Sequence, residues 1–212
     1  MKSDPQAVKD VVYPCQDTHV IVPASVDRIR TKNLYLRPLE IGDAAALYEF
    51  RSRQDVADWL WPKVPHQNIQ ETEANILNKT FKTPDASGAL GRQFTFAVIS
   101  ATDPTQKVIG AVGINGLVPS PSIGYGIHPD FWGKGYVSEA VAAVVDAWWK
   151  LSREEPEPRM ELNVEREKLF AAVNKANVGS VKVLQKNGFE IVSEASLGGD
   201  TVVLFALERP AR

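Results

Sequence analysis

The chain has 212 residues, with 24 Lys and Arg set against 26 Asp and Glu, for a formal net charge of −2. Interspersed charge of this kind argues against a nucleic-acid partner, which needs a clear basic excess. The longest apolar run, Ala140 to Trp149, is interrupted by Asp146 and is too short for a membrane span. One cysteine rules out an internal disulfide, and three scattered histidines leave little with which to hold zinc, so no metal is expected. The stretch Met1 to Pro5 lacks the apolar core of a signal peptide, so the expected location is the cytoplasm, as a monomer or homodimer.

Residues 1–28 read as an N-terminal arm, within which Val20-Ile21-Val22 is a short strand candidate. Cys15 lies four residues from His19 but reads as a small surface residue rather than a nucleophile. Residues 29–212 are expected to form one domain. Arg28 to Leu39 is its first strand, with Leu34 and Leu36 on one side and Tyr35 and Arg37 on the other. Asp43 is placed to N-cap a helix over Ala44 to Arg51, whose Ala46, Leu47 and Phe50 form a stripe. Trp59 and Trp61, beside Pro62 and Pro65, suggest a rigid and partly exposed aromatic surface; the alternative is ordinary packing of a helix–loop corner. A second helix is predicted over Glu71 to Phe81, with Ala74, Leu77 and Phe81 on its inner face. Arg92 to Ile99 alternates as a half-buried strand, and Lys107 to Val118 is its hairpin partner. Gly110, Gly113 and Gly116 in that partner mark bulges or close backbone approach.

The stretch from Ser122 to Leu151 organises the rest. Ile123 to His128 is β-like and ends at Pro129; Gly133-Lys134-Gly135 follows. Val137, Ala140, Val141, Val144, Val145, Trp148 and Leu151 then recur at the spacing of one helix face. A strand, a glycine-bearing turn and a helix start present free backbone N–H groups at the positive end of a helix dipole, a seat for phosphate. Lys134 adds a cation and Ser138 a hydroxyl. The spacing is neither that of a P-loop nor that of a dinucleotide-binding fingerprint, and alone it is also compatible with a tight turn. Beyond it, residues 153–159 form a polar, proline-rich loop, and 160–167 extend the connection. Leu169 to Val173 is a buried strand closed by Asn174; Asn177 then N-caps a helix with Val181 and Leu184 inward and Gly188 at its end. Phe189 to Val192 and Thr201 to Leu207 are the last strands, joined through Gly198-Gly199-Asp200. This order predicts a mixed α/β domain around one central sheet.

Phe131-Trp132-Gly133-Lys134-Gly135-Tyr136-Val137-Ser138-Glu139-Ala140 resembles the acetyl-CoA pyrophosphate loop of the GNAT superfamily of N-acetyltransferases, in its RimJ/RimL-like branch. Leu34 to Leu39 with Gly42-Asp43-Ala44 resembles that branch's first strand and turn, and Asn177-Val178-Gly179-Ser180 with Val183 to Phe189 resembles its later helix. The resemblance spans about residues 31 to 209. It implies a single GNAT-like domain: a mostly antiparallel sheet flanked by helices, in which the strands at 122–128 and 169–174 run parallel and splay apart around the pantetheine arm.

The implied activity is transfer of acetyl from acetyl-CoA to a primary amine by direct attack in a ternary complex. The amine is a protein α-amino terminus or a small molecule. The alternative is a non-catalytic GNAT-fold module that binds CoA or serves in interactions. The loop from Gly133 through Lys134, Gly135, Tyr136 and Val137 to Ser138 would hold pyrophosphate, and amides of Gly126, Ile127 and His128 would pair with pantetheine. Asn174, Asn177 and Ser180 would contact the arm or its thiol, and a backbone N–H near Ile127 would polarise the thioester. Trp59 or Trp61 would wall the amine site, and His128 and Tyr125 are candidates for taking the amine proton. Two departures stand out. Leu184 occupies the place of a tyrosine that donates a proton in much of the superfamily, which shifts that role to Ser180. Asp130 stands where Gln or Arg is usual and is expected to point to solvent, while Glu139 is read as serving the helix dipole and Glu165 is a further carboxylate.

Overall fold

Alternating apolar residues lay down the first strands. The computed structural model describes residues 13–154 and 166–211. In it β1 (Ile29–Arg30) and β2 (Leu34–Pro38) pair antiparallel, so the single strand expected over Arg28 to Leu39 is broken by a turn. The Thr31 N–H closes that turn on Leu34 O at 3.0 Å. Leu34 and Leu36 are both fully buried, as the alternation requires. β3 (Phe94–Ser100), β4 (Val108–Ile114) and β5 (Ile123–Ile127) complete a five-stranded antiparallel sheet in the order β1-β2-β3-β4-β5. A second sheet has the order β6-β8-β7, built from β6 (Lys168–Asn174), β7 (Glu190–Leu197) and β8 (Asp200–Glu208).

The two sheets meet at one parallel bridge, Ser122 to Phe170, where the Phe170 N–H donates to Pro121 O at 2.9 Å. No ladder joins β5 to β6 beyond it among the described residues. The expected parallel, splayed pair is therefore present. The expected single sheet is two, because the splay interrupts the hydrogen-bonded ladder.

Among the described residues, five helices cover the sheets: α1 (Ala44–Arg51), α2 (Gln54–Ala57), α3 (Ile69–Leu77), α4 (Tyr136–Lys150) and α5 (Val178–Lys186). The apolar stripe of α4 buries Val141, Val144 and Trp148 completely against Leu34, Leu36, Phe94 and Phe96, and the same cluster continues into Leu169 and Phe205 of the second sheet. Trp148 meets Phe94 edge-on, with ring centroids 5.3 Å apart. On the other face, Leu47 and Phe50 of α1 and Ile76 of α3 cover Ala97 and Ile99. β3 is thus buried at every position rather than half-buried, since helices lie on both sides of it.

Other local expectations are corrected. The inner face of α3 is Thr72 and Ile76, while Ala74 is exposed and Leu77 is 62% exposed. The Asn68 side chain accepts from the Glu71 N–H at 3.0 Å and starts the helix at Ile69, which turns that face; Phe81 is buried from the loop beyond. Asp43 does not cap α1. Its carboxylate takes a bidentate pair from Arg37 at 2.6 and 2.8 Å and the Glu40 N–H at 2.9 Å. Val20 to Val22 is no strand: Val20 makes one bridge, to Arg153, and Val22 donates its N–H to Asp85. Both are buried in the main core with Val26, so the described part of the arm packs into the domain. Residues 1–12 of that arm, the 155–165 part of the later loop and Glu165 lie outside the described residues. No helix among the described residues is long and apolar enough to cross a membrane.

Candidate active site

β5 runs through a 3-10 turn (Pro129–Phe131) into the glycine loop. Gly133 and Gly135 have φ of 72° and 81°, left-handed values that only glycine adopts freely. α4 then begins, and the Glu139 N–H makes its first bond back to Gly135 O at 3.1 Å. The backbone N–H groups from Gly133 to Ser138 have no acceptor among the described residues. Gly133, Gly135, Tyr136, Val137 and Ser138 line a groove of about 620 Å³. The Ser138 hydroxyl accepts from Asn187 Nδ2 at 3.2 Å and keeps its own proton to donate. Lys134 does not line the groove; its Nζ lies 5.1 Å above the Phe131 ring. The Asp130 side chain is 79% exposed and points away, as expected.

α5 forms the facing wall. Asn177 Oδ1 accepts from the Ser180 N–H at 3.0 Å, the cap its sequence position requires. No hydrogen bond ties the Ser180 hydroxyl to its own helix; it stands beside the Tyr125 phenol, whereas Leu184 is wholly buried away from the groove. Tyr125 reaches across from β5, its hydroxyl donating to Ser180 O at 3.3 Å. Burial pushes its phenol up to about 12, against a smaller lowering by the Ser180 side chain. Asn174 lies at the end of β6, its Oδ1 accepting from the Ala176 N–H at 2.9 Å.

Register decides which β5 amides are available. The His128 N–H donates to Ile109 O at 2.8 Å, and Ser122 O accepts from the Asn115 N–H at 2.8 Å. Antiparallel alternation commits Gly126 to β4 in the same way and turns the N–H groups of Tyr125 and Ile127 to the open edge. Of the three residues expected to pair with pantetheine, only Ile127 presents its amide there. The His128 ring is also otherwise engaged. Nδ1 accepts from the Asp130 N–H at 3.2 Å, the ring packs edge-on to Phe50 and Phe131, and it lines neither cavity of the site. It caps the 3-10 turn through Nδ1 and stands outside both cavities.

A second cavity of about 250 Å³ adjoins the groove. The two share Trp59, Leu60, Tyr125, Gly126, Asn177 and Ser180, which marks where their contents would meet. Trp59 is 41% exposed. Trp61 lines the second cavity alone, with Lys63 Nζ 5.5 Å above its ring. Sequence reasoning missed two cations there, Arg51 and Lys79. Arg51 donates to His66 Nε2 at 3.1 Å, and His66 Nδ1 pairs with Thr72 Oγ1 at 2.8 Å. Lys79 donates to Asn115 Oδ1 at 2.9 Å. Neither forms an ion pair among the described residues, and no Asp or Glu among them lines either cavity. Burial, then the Arg51 charge, brings the Lys79 ammonium down to about 8; burial also lowers Arg51. The available signal was position: Arg51 follows Leu47 by one helical turn, and Lys79 follows Ile76 by three residues, so both cations extend buried stripes.

Residues 33–190 match the family described as acetyltransferase (GNAT) domain. Among curated proteins, the chain is 26% identical over 168 residues to Uncharacterized N-acetyltransferase p20 of Bacillus licheniformis, covering 78% of this chain and 83% of that one. Among solved structures, an acetyltransferase (GNAT family) from Bacillus anthracis superposes with a TM-score of 0.63 at 20% identity, covering 86% of this chain and 99% of that one. RimL, the ribosomal L7/L12 alpha-N-protein acetyltransferase in complex with coenzyme A, does so with a TM-score of 0.61 at 17% identity, covering 86% and 98%.

Proposed function

The chain belongs to the GNAT acetyltransferase family and is an acetyl-CoA-dependent acyltransferase, and from that premise we propose that it acetylates a primary amine by direct attack in a ternary complex, with no acetyl-enzyme. The observation that carries the reading is the run of unpartnered backbone N–H groups from Gly133 to Ser138 at the head of α4. Aligned donors at the positive end of a helix suit a pyrophosphate, which needs several donors and no cationic side chain. The pantetheine arm then lies along the open edge of β5, toward Asn174, Asn177 and Ser180. The Ile127 N–H polarises the thioester carbonyl as it becomes an oxyanion. One such pre-aimed donor contributes about 3–4 kcal/mol, or about 10²–10³ in rate.

The amine enters past Trp59 and Trp61. With no carboxylate among the described residues lining the site, it must reach the thioester neutral. That favours an α-amino group, near ~7.7–8, over a lysine-like one near ~10.4. Arg51 and Lys79 push the same way, since nearby cations disfavour an ammonium. Attack of nitrogen on the carbonyl carbon gives a tetrahedral adduct. Its collapse breaks the C–S bond, and the proton carried in on nitrogen ends on sulfur as the free thiol.

Tyr125 is no base at neutral pH, because its phenol titrates at about 12. Nor does it give its proton up: against a thiol near ~8.5, complete transfer is uphill by about 3.5 units, or ~5 kcal/mol. Its one proton turns from Ser180 O to hydrogen-bond the sulfur while charge collects there, and the neighbouring Ser180 hydroxyl is the second donor. The fold shared with RimL, an alpha-N-protein acetyltransferase, and the three ordered motifs support an α-amino acceptor, a protein terminus or a small amine.

Thermal unfolding with and without acetyl-CoA tests the reading. Ligand at about 100 times its Kd adds about 2.7 kcal/mol. At about 2–4 °C per kcal/mol for a domain of this size, Tm should rise by about 5–10 °C. No rise at saturating acetyl-CoA would end the cofactor assignment.

A further inference from the structure

The second cavity is furnished for an anion. Arg51 and Lys79 line it without an ion-pair partner, and no carboxylate among the described residues lines it with them. Their present partners are neutral: His66 for Arg51 and the Asn115 amide oxygen for Lys79. His66 is held neutral by burial and then by the Arg51 charge, both of which lower it. A third polar group points the same way. The Thr95 hydroxyl is buried in the cavity wall, the residue only 3% exposed, with no hydrogen-bond partner. A side chain at Gly113 would press on that hydroxyl from 2.6 Å. Buried donors left unpaired are costly unless a ligand completes them.

We propose that the acceptor is a small amine carrying its own anionic oxygen group, carboxylate or phosphate, which Arg51 and Lys79 hold while the amine nitrogen faces the thioester at the Tyr125–Ser180 end of the cavity. The inference deepens the acetyl-transfer reading and rests on it. A planar guanidinium takes two oxygens of either group side by side, and an ammonium takes one more. The cavity, about 250 Å³, suits a molecule of amino-acid size. A polycationic amine would meet two unscreened like charges there and be rejected.

The test uses matched pairs of amines on the full chain: amino acids beside their carboxamides, and phosphoethanolamine beside ethanolamine. Release of the CoA thiol is followed with saturating acetyl-CoA, and binding to the chain with CoA bound is followed by calorimetry. The acid of at least one pair should exceed its neutral partner by about 10–100-fold in kcat/KM, chiefly through KM, the loss expected for a charge-assisted contact. The pair that responds identifies the oxyanion. In Arg51→Gln and Lys79→Gln the acid-to-neutral ratio should fall toward one, with the acetyl-CoA-induced rise in Tm retained as proof of folding. Equal turnover of acid and neutral partners, an unchanged ratio in both variants, or no binding of any anionic amine to the CoA-bound chain would overturn the inference. A chain whose Tm ignores acetyl-CoA would instead fail the acetyl-transfer reading itself.

Discussion

Lys79 holds its proton less tightly than an ordinary lysine, to about 8, because burial and the Arg51 guanidinium both oppose the charge. Unfolded, the same lysine titrates near ~10.4. Between those two values the folded chain has shed a proton that the unfolded chain keeps, so stability rises as pH climbs through that window. Lys79→Met should flatten this rise and lift Tm at pH 7, while weakening any anionic acceptor; unfolding curves across pH 7 to 10 read the first effect. The lysine's place beside the buried stripe of Ile76 was legible, but its role was not, since its partner Asn115 is 36 positions away. Tyr125 was legible as a residue of the site but not in its role. Its alternation in β5 gave the face, whereas the raised phenol comes from burial beneath α5, which no spacing reports. Tyr125→Phe should lower kcat about 10-fold, equivalent to ~1.4 kcal/mol, with little change in KM for acetyl-CoA. Steady-state thiol release measures both, and Tyr125→Phe with Ser180→Ala should fall short of the product of the single losses, because the two side chains interact and serve the same sulfur.

At the scale of elements, α4 is the most legible part of the chain. Its apolar stripe, its glycine loop and its first-turn acid all stand in the sequence within twenty residues. What Glu139 does there was only half visible. It lies in the first turn, where a negative charge suits the dipole, but its carboxylate also reaches the β1–β2 turn. It accepts from Thr31 Oγ1 at 2.5 Å, the Asn33 N–H at 2.7 Å and Asn33 Nδ2 at 2.8 Å. Burial alone would raise this carboxyl, yet the bonds from Thr31 and Asn33 outweigh it and hold it below the ordinary range. The clamp is therefore present above the ordinary carboxylate range and is lost as pH falls through the lowered value. Glu139→Ala should remove about 1.5–3 kcal/mol, the scale of hydrogen bonds to a charged group, and should flatten the acid limb of the stability curve. Denaturant unfolding at pH 7 and pH 3 checks both. Asp43 carries the opposite lesson: its position spelled a helix cap, but a tertiary partner six residues back, Arg37, captured the carboxylate.

For the whole molecule, local periodicity foretold the strands and helices but not how many layers cover each. β3 reads as alternating, and only the arrival of α1 and α3 opposite α4 buries both of its faces. The splay of β5 from β6 was implied by resemblance and by nothing in the composition of either strand, and the break it makes into two sheets was not foreseen. That break decides where the site can be, since its walls come from the two sides of the Ser122–Phe170 bridge. The groove takes one wall from the loop and head of α4 and its opposite wall from α5, which ends at Lys186. A ribosome makes these walls in that order. While α4 is already outside and α5 is still in the exit tunnel, the nascent chain carries the glycine loop but no far wall for the groove, and β5 has no β6 to splay from. Acetyl-CoA can therefore steady the protein only late in its synthesis, after the second sheet has begun to form; until then the growing chain must rely on the packing on the two faces of the first sheet.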